Sequence, residues 1–286
     1  LFDSIETLQA LNPEKHLSKF LKENVRPCKR PFHTSRPVTI LPSILPRNTH
    51  GSSLVSIGNT RAVSAITLQI GQPAPSTPRR GDIDVSLHAG PLCHPSYDPA
   101  GRRVSDTGGG AAGARDPQAV ESFVQRSVRQ ADVLDLEDLC VEEGKSAWRV
   151  HVSVVILNHD GNVEDVAMLA AIAALANLKL PETFLEDGKV KVLSSGRKTK
   201  LELKCLPVPL SIGLFDDKML VDPTEEEEEV LHGVLTIIMN EKGNLISVNK
   251  VGGNILSIDD MKAAMVLARN RVKLLAPVIK SLQSEE

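Results

Sequence analysis

The sequence predicts an α+β fold, and three observations carry that prediction. Apolar and polar residues alternate in blocks joined by tight turns at Gly58-Asn59, Phe215-Asp216-Asp217-Lys218 and Lys242-Gly243-Asn244, the pattern of β-hairpins. The stretch Val163 to Ala176 is apolar on almost every side beyond its first turn, which predicts a central helix buried by its neighbours. A long stretch with one apolar face closes the chain from Ser257 and predicts a C-terminal helix.

In chain order, Asn12-Pro13-Glu14 reads as a cap followed by proline in the first helical position, starting a short helix to about Lys22. Prolines at 27, 31, 37, 42 and 46 confine Arg26 to Pro46 to edge strands and loops. Two strands follow between Gly51 and Ile70, the second with Ala62, Ser64, Ile66, Leu68 and Ile70 on one face. Gln72 to Arg80 is a Pro- and Ser-rich loop. Pro91 to Pro117, with its glycine and alanine runs, is expected to be a flexible insertion. A helix over Gln118 to Ala131 shows Val120, Phe123, Val124, Val128 and Ala131 on one side. In the strand Ala147 to Leu157, Trp148, Val150, Val152, Val154 and Ile156 alternate with Arg149, His151 and Ser153. The final helix begins at Ser257, capped by Asp260 three residues on, and keeps Met261, Met265, Ala268, Val272, Leu275, Ile279 and Leu282 on its apolar face. Strands followed by a covering helix occur twice, so one domain over 1–286 with two pseudo-repeated halves, roughly 20–180 and 185–286, is expected.

Composition narrows the function classes. The 286 residues are 41% hydrophobic, and no apolar run approaches the ~18 residues of a membrane span. Aromatics are only 3%, which argues against base stacking on exposed rings. The net charge of −3 gives no global pull on nucleic acid, but residues 1–61 hold nine basic side chains against four acidic ones. The four cysteines, Cys28, Cys93, Cys140 and Cys205, form no C-x-x-C pair, so zinc and a secreted disulfide framework are both disfavoured.

The chemistry-bearing stretch is Trp148 to Leu175. A strand and an Asp160-Gly161-Asn162 turn open into a helix N-terminus, where backbone N–H groups commonly hold phosphate. Here the first helical turn carries Glu164 and Asp165, whose charges favour the helix dipole and repel a phosphate. The acidic run Glu225 to Glu229 offers oxygen ligands to Mg²⁺, but reads better as a solvated loop. His159 lacks a Ser or Cys motif nearby and is expected to be exposed.

Four stretches together resemble the RNase PH-like subunits that form the ring of the RNA exosome: Phe20-Leu21-Lys22-Glu23-Asn24 through Arg26-Pro27; Gly51 through Gly58-Asn59-Thr60; Trp148 to Leu175; and Leu214-Phe215-Asp216-Asp217 through Val221-Asp222-Pro223-Thr224. With the Leu231–Gly253 hairpin and the last helix, the resemblance spans nearly the whole chain except 91–117. It departs at Arg26-Pro27-Cys28-Lys29-Arg30, where the family usually has Asp-Gly between proline and arginine.

The resemblance implies an RNase PH-like fold, with mixed β-sheets packed around a buried central helix and a long C-terminal helix. Active members perform phosphorolysis, in which inorganic phosphate attacks the last phosphodiester of an RNA 3′ end. They need a phosphate-holding arginine and a carboxylate; the matching positions here are Glu164 and Gly233. One charge is reversed and the other is missing, so a non-catalytic ring subunit is expected, with no cofactor and no metal. The alternative is a phosphorolytic exoribonuclease, or a contributor to a composite site with a neighbour. Implied partners are other RNase PH-like ring subunits and cap subunits in a hetero-oligomer, RNA through the assembly, and no membrane, in nucleus, nucleolus and cytoplasm. Arg26, Lys29, Arg30, Arg61, Arg126 and Arg129 are the candidate RNA contacts.

Overall fold

A computed structural model describes residues 19–20, 23–45, 47, 49–94, 97, 116–186, 189–192, 198–216, 218–253 and 255–284. The first half builds a six-stranded mixed sheet from β1 (Val38–Pro42), β2 (Gly51–Ile57), β3 (Thr60–Gly71), β4 (Asp82–Ala89), β5 (Cys140–Glu142) and β6 (Ser146–Asn158) in the order β1-β2-β3-β6-β4, with β5 on β6. All pairs are antiparallel except β4 with β6, which run parallel with Val85 opposite Val152. That crossover contains helix α1 (Pro117–Gln130), whose buried face is Val120, Phe123, Val124 and Val128, the side read from the sequence.

Helix α2 (Val163–Ala176) follows β6 after a four-residue turn, and all fourteen of its residues are buried, Glu164 and Asp165 included. Its alanines let it lie close against the sheet: Ser53 Oγ of β2 donates to Ala170 O at 2.8 Å. Strands β7 (Lys179–Pro181) and β10 (Lys198–Lys200) pair with each other, as do β8 (Thr183–Glu186) and β9 (Lys189–Val192). The second half is an antiparallel sheet of β11 (Val208–Phe215), β12 (Lys218–Val221), β13 (Gly233–Met239) and β14 (Leu245–Gly252), ordered β12-β11-β13-β14. The three expected hairpin turns join β2 to β3, β11 to β12 and β13 to β14.

A one-turn helix α3 (Glu225–Glu228) links the sheet's first and second hairpins, and α4 (Ile258–Ser284) closes the chain. Ser257 and Asp260 cap α4 reciprocally, with Ser257 Oγ 2.6 Å from Asp260 Oδ2 and Asp260 N donating to Ser257 Oγ at 3.1 Å. The helix continues through Pro277, an exposed position near its end. α2 packs on β2, β3, β6, β11 and α4, so one continuous apolar core joins residues of both halves. The expected helix over 12–22 lies outside the described residues except for Lys19 and Phe20, which are helical. Of the 91–117 insertion, residues 95–96 and 98–115 also lie outside them.

Candidate functional site

The N-terminus of α2 is the meeting point of both halves. Asn162 takes the N-cap position at φ +56°, in the left-handed region that asparagine tolerates. Gly161 before it has φ +76°, and a Cβ there would lie 2.6 Å from Pro223 O and 2.7 Å from Glu225 N. Glycine is required by both counts. This close approach brings the loop after β12 and helix α3 against the turn, where they seal it.

The helix N-terminus is occupied by the protein's own carboxylate: Asn162 N donates to Glu228 Oε1 at 2.6 Å. Within the first turn, Asp165 accepts from Ser211 Oγ at 2.7 Å, Ser211 N at 3.2 Å and Asn162 Nδ2 at 3.1 Å. Burial outweighs these bonds and the nearby Arg271 and holds the Asp165 carboxyl above its ordinary range. Glu164 accepts from Thr236 Oγ1 of β13 at 2.9 Å. Burial, with the adjacent Asp165 charge, pushes Glu164 up to about 7 against the opposing Thr236 bond and Arg126 charge.

Around this lies a second layer of buried charge. Asp222, fully buried at φ +53°, accepts from Arg36 N at 2.7 Å, Arg36 Nη2 at 2.8 Å, Arg30 Nη1 at 3.0 Å and Asn162 Nδ2 at 2.7 Å. Burial alone would raise this carboxyl, but the Arg36 hydrogen bonds and charge hold it well below the usual carboxylate range. Arg36 in turn donates to Asp160 O at 2.5 Å, tying the turn to the same arginine. Arg26 is paired with Glu227 and donates to Val221 O at 2.8 Å. The Cys28-Lys29 pair that replaces the usual Asp-Gly keeps a tight turn, with Lys29 N donating to Arg26 O at 2.8 Å and Lys29 itself at φ +59°.

These contacts correct several expectations. The acidic run is not a solvated loop: Glu227 and Glu228 are buried, because Arg26 and the Asn162 N–H draw their carboxylates inward, while Glu226 and Glu229 stay exposed. His159 is not exposed but buried, with its ring edge-on to His94 at 5.2 Å and to Tyr97 at 5.7 Å. Arg26 is not a surface cation, since its guanidinium is fully buried and committed to Glu227. Arg30 is largely committed to Asp222. Lys29, Arg61, Arg126 and Arg129 are exposed, Arg129 with hydrogen bonds to Asp82 and Ile83 O. No cluster of metal-ligating residues occurs among the described residues.

Family models for domains 1 and 2 of the 3′ exoribonuclease family match residues 34–181 and 205–271. The chain belongs to the 3′ exoribonuclease family. It is 35% identical over 242 residues to the exosome complex component Rrp42 of Archaeoglobus fulgidus, covering 84% of this chain and 85% of that protein. It is 29% identical over 262 residues to exosome complex component rrp43 of Schizosaccharomyces pombe, covering 91% and 93%. Among solved structures, a chain of the Archaeoglobus fulgidus exosome with RNA bound to the active site superposes at TM-score 0.78, with 30% identity over 93% of this chain and 97% of that one.

Within this family fold, Gly233 is the first residue of β13, between Leu214 and Gly252 of the neighbouring strands. A Cβ at 233 would lie 2.7 Å from Gly252 C and 2.8 Å from Gly253 N, both backbone atoms. The residue that β13 does present to the α2 N-terminus is Thr236, not Gly233. Gly233→Asp is therefore expected to lose about 1–3 kcal/mol of stability through overpacking, measured as a lowered urea midpoint with unchanged slope. An unaltered midpoint would show that the Gly252-Gly253 backbone yields freely.

Thr236, Ser211 and Arg36 escaped the sequence reading, and Glu228 was read only as part of the acidic run. Thr224 to Glu227 was the legible signal, a capping box directly after Pro223 that predicts a helical turn, and Glu227 does reach back to Thr224 N at 3.0 Å. The Arg36–Asp222 pair spans 186 positions and has no local signature.

Proposed function

We propose that this chain is a non-catalytic subunit of an exosome-type ring of RNase PH-like proteins, supporting 3′-5′ RNA processing and degradation by completing the ring and lining the RNA's route. Relatives named exosome complex components align with over four-fifths of the chain, which supports membership of such an assembly. Its partners are then other ring subunits and cap subunits, and the assembly works in nucleus, nucleolus and cytoplasm.

The observation that carries the non-catalytic reading is the Glu228 carboxylate on the Asn162 N–H. Phosphorolysis brings two polyanions together and needs a vacant cradle of donors with a cation beside it. Here the helix N-terminus holds an internal anion, Glu164 adds acid where a cation is needed, and position 233 has no room for a carboxylate. Lys29, Arg61, Arg126 and Arg129 remain exposed for RNA contact in the ring, whose strength falls with salt as counterions compete for phosphate.

The test is RNA decay with and without inorganic phosphate. The full chain alone is expected to release no nucleoside diphosphate above the buffer rate. In a reconstituted ring, Glu229→Ala, at an exposed position, is expected to leave decay unchanged. General acid–base and oxyanion contributions are each worth about 10²-fold or more. A loss of that size with the ring intact would overturn the reading and establish a composite site.

A further inference from the structure

Away from the α2 N-terminus, three polar side chains on the partly exposed face of the first sheet form a chain of hydrogen bonds. Ser86 Oγ lies 3.2 Å from His151 Nε2, and His151 Nδ1 lies 3.3 Å from Asp84 Oδ2. The register explains the arrangement. β4 and β6 are parallel, His151 stands opposite Asp84, and Asp84 and Ser86 are two apart on the same face of β4, so they bracket the imidazole. Gln125 of α1 donates Nε2 to Asp84 Oδ1 at 3.0 Å and fixes the carboxylate's other oxygen. The non-catalytic ring role proposed above makes no use of these residues.

The geometry points to a nucleophilic triad of Ser86, His151 and Asp84 that takes an acyl group from an activated carboxylic ester. With Nδ1–H donated to Asp84, Nε2 carries the lone pair that accepts the Ser86 proton. Ser86 Oγ attacks the ester carbonyl, an Oγ–C bond forms and the C–O bond to the leaving group breaks. The proton passes through His151 Nε2 to the departing oxygen. Water, giving a proton to His151 Nε2, then attacks the acyl carbon; the Oγ–C bond breaks, Oγ takes that proton back, and the acyl group leaves as the carboxylic acid. Asp84 is a positioning residue, since it acts through the imidazole. The neighbouring Leu87 N–H is committed to Glu121 Oε2 at 2.8 Å and is not available to hold an oxyanion. The triad is therefore confined to esters whose leaving group departs readily, such as aryl esters, and does not reach amides.

The full-length chain with p-nitrophenyl acetate tests this. The expected result is a burst of p-nitrophenolate stoichiometric with protein, and an acetyl group on the Ser86 peptide by mass spectrometry. Ser86→Ala is expected to abolish the burst, and His151→Gln to slow it about 10²-fold. Asp84→Asn is expected to slow acylation without changing the urea midpoint, a separation that a merely structural role would not give. Because unfolding scatters the three groups, wild-type chain in denaturing urea must lose the burst. Acetyl groups on lysines alone, a burst that survives urea, or Ser86 acetylation at equal rates in wild type and His151→Gln would each overturn the proposal.

Discussion

Asp222→Ala is expected to cost about 3–5 kcal/mol of folding free energy, because it breaks a buried ion pair from one side only. Asp222 is fully buried and receives two arginines and the Asn162 amide. Truncation leaves Arg36, itself only 8% exposed, with its backbone N–H and guanidinium facing an empty carboxylate position. Four segments meet at this group: the approach to β1, the turn before α2, the end of β12 and the entry to α3. The loss should therefore appear in cooperative unfolding rather than as local fraying. The pH dependence has a definite sign. A carboxyl held below its ordinary range stabilises the fold above that range and loses the contribution as pH falls through its folded value. Wild type should thus lose more stability on acidification than Asp222→Ala does. Urea titrations at neutral and acidic pH measure both quantities, and a neutral-pH loss under about 1 kcal/mol would place Asp222 among weak surface pairs instead.

The elements legible in the sequence are those whose signals are local. Turn glycines and asparagines, the Ser257–Asp260 cap and the apolar run of α2 each fix a conformation within a few residues, and each appears where expected. The candidate site was half legible. Gly161, Asn162 and Glu164 announced a helix N-terminus hostile to phosphate, but the group that fills it, Glu228, comes from a run whose composition suggests solvent. Composition describes a lone segment, whereas burial of Glu227 and Glu228 depends on Arg26 and Asn162, which lie far away in sequence. The same applies to Arg26, basic by type and structural by contact. His159 follows a strand and precedes a turn, a place that is usually open; here His94 and Tyr97, contributed by the segment after β4, cover it.

Glu164→Gln is expected to stabilise the protein at pH 8 by about 2–3 kcal/mol and to leave it nearly unchanged at pH 4. The folded carboxyl titrates at about 7 against an ordinary value of 4.5, so the folded chain binds the proton more tightly than the unfolded one. At pH 4 both states are protonated and the group contributes little difference. As pH rises through the interval between these two values, the unfolded chain ionises first, and stability falls by about 1.4 kcal/mol per pH unit. Above the folded value both states are ionised and the full penalty, on the order of 3 kcal/mol, persists. Asp165, also raised by burial, slopes the same way in both proteins and does not cancel the difference. Glutamine keeps an oxygen for the Thr236 hydroxyl, which donates to Glu164 at 2.9 Å, while removing the charge that burial opposes. The measurement is unfolding free energy from pH 4 to 8 for both proteins. Parallel curves across that range would mean that Glu164 stays ionised in the fold, held by Arg126, and that the α2 N-terminus carries a permanent negative charge. A flatter curve for the glutamine variant, crossing to higher stability near pH 5 to 6, would establish that this buried acid holds a proton at the α2 N-terminus.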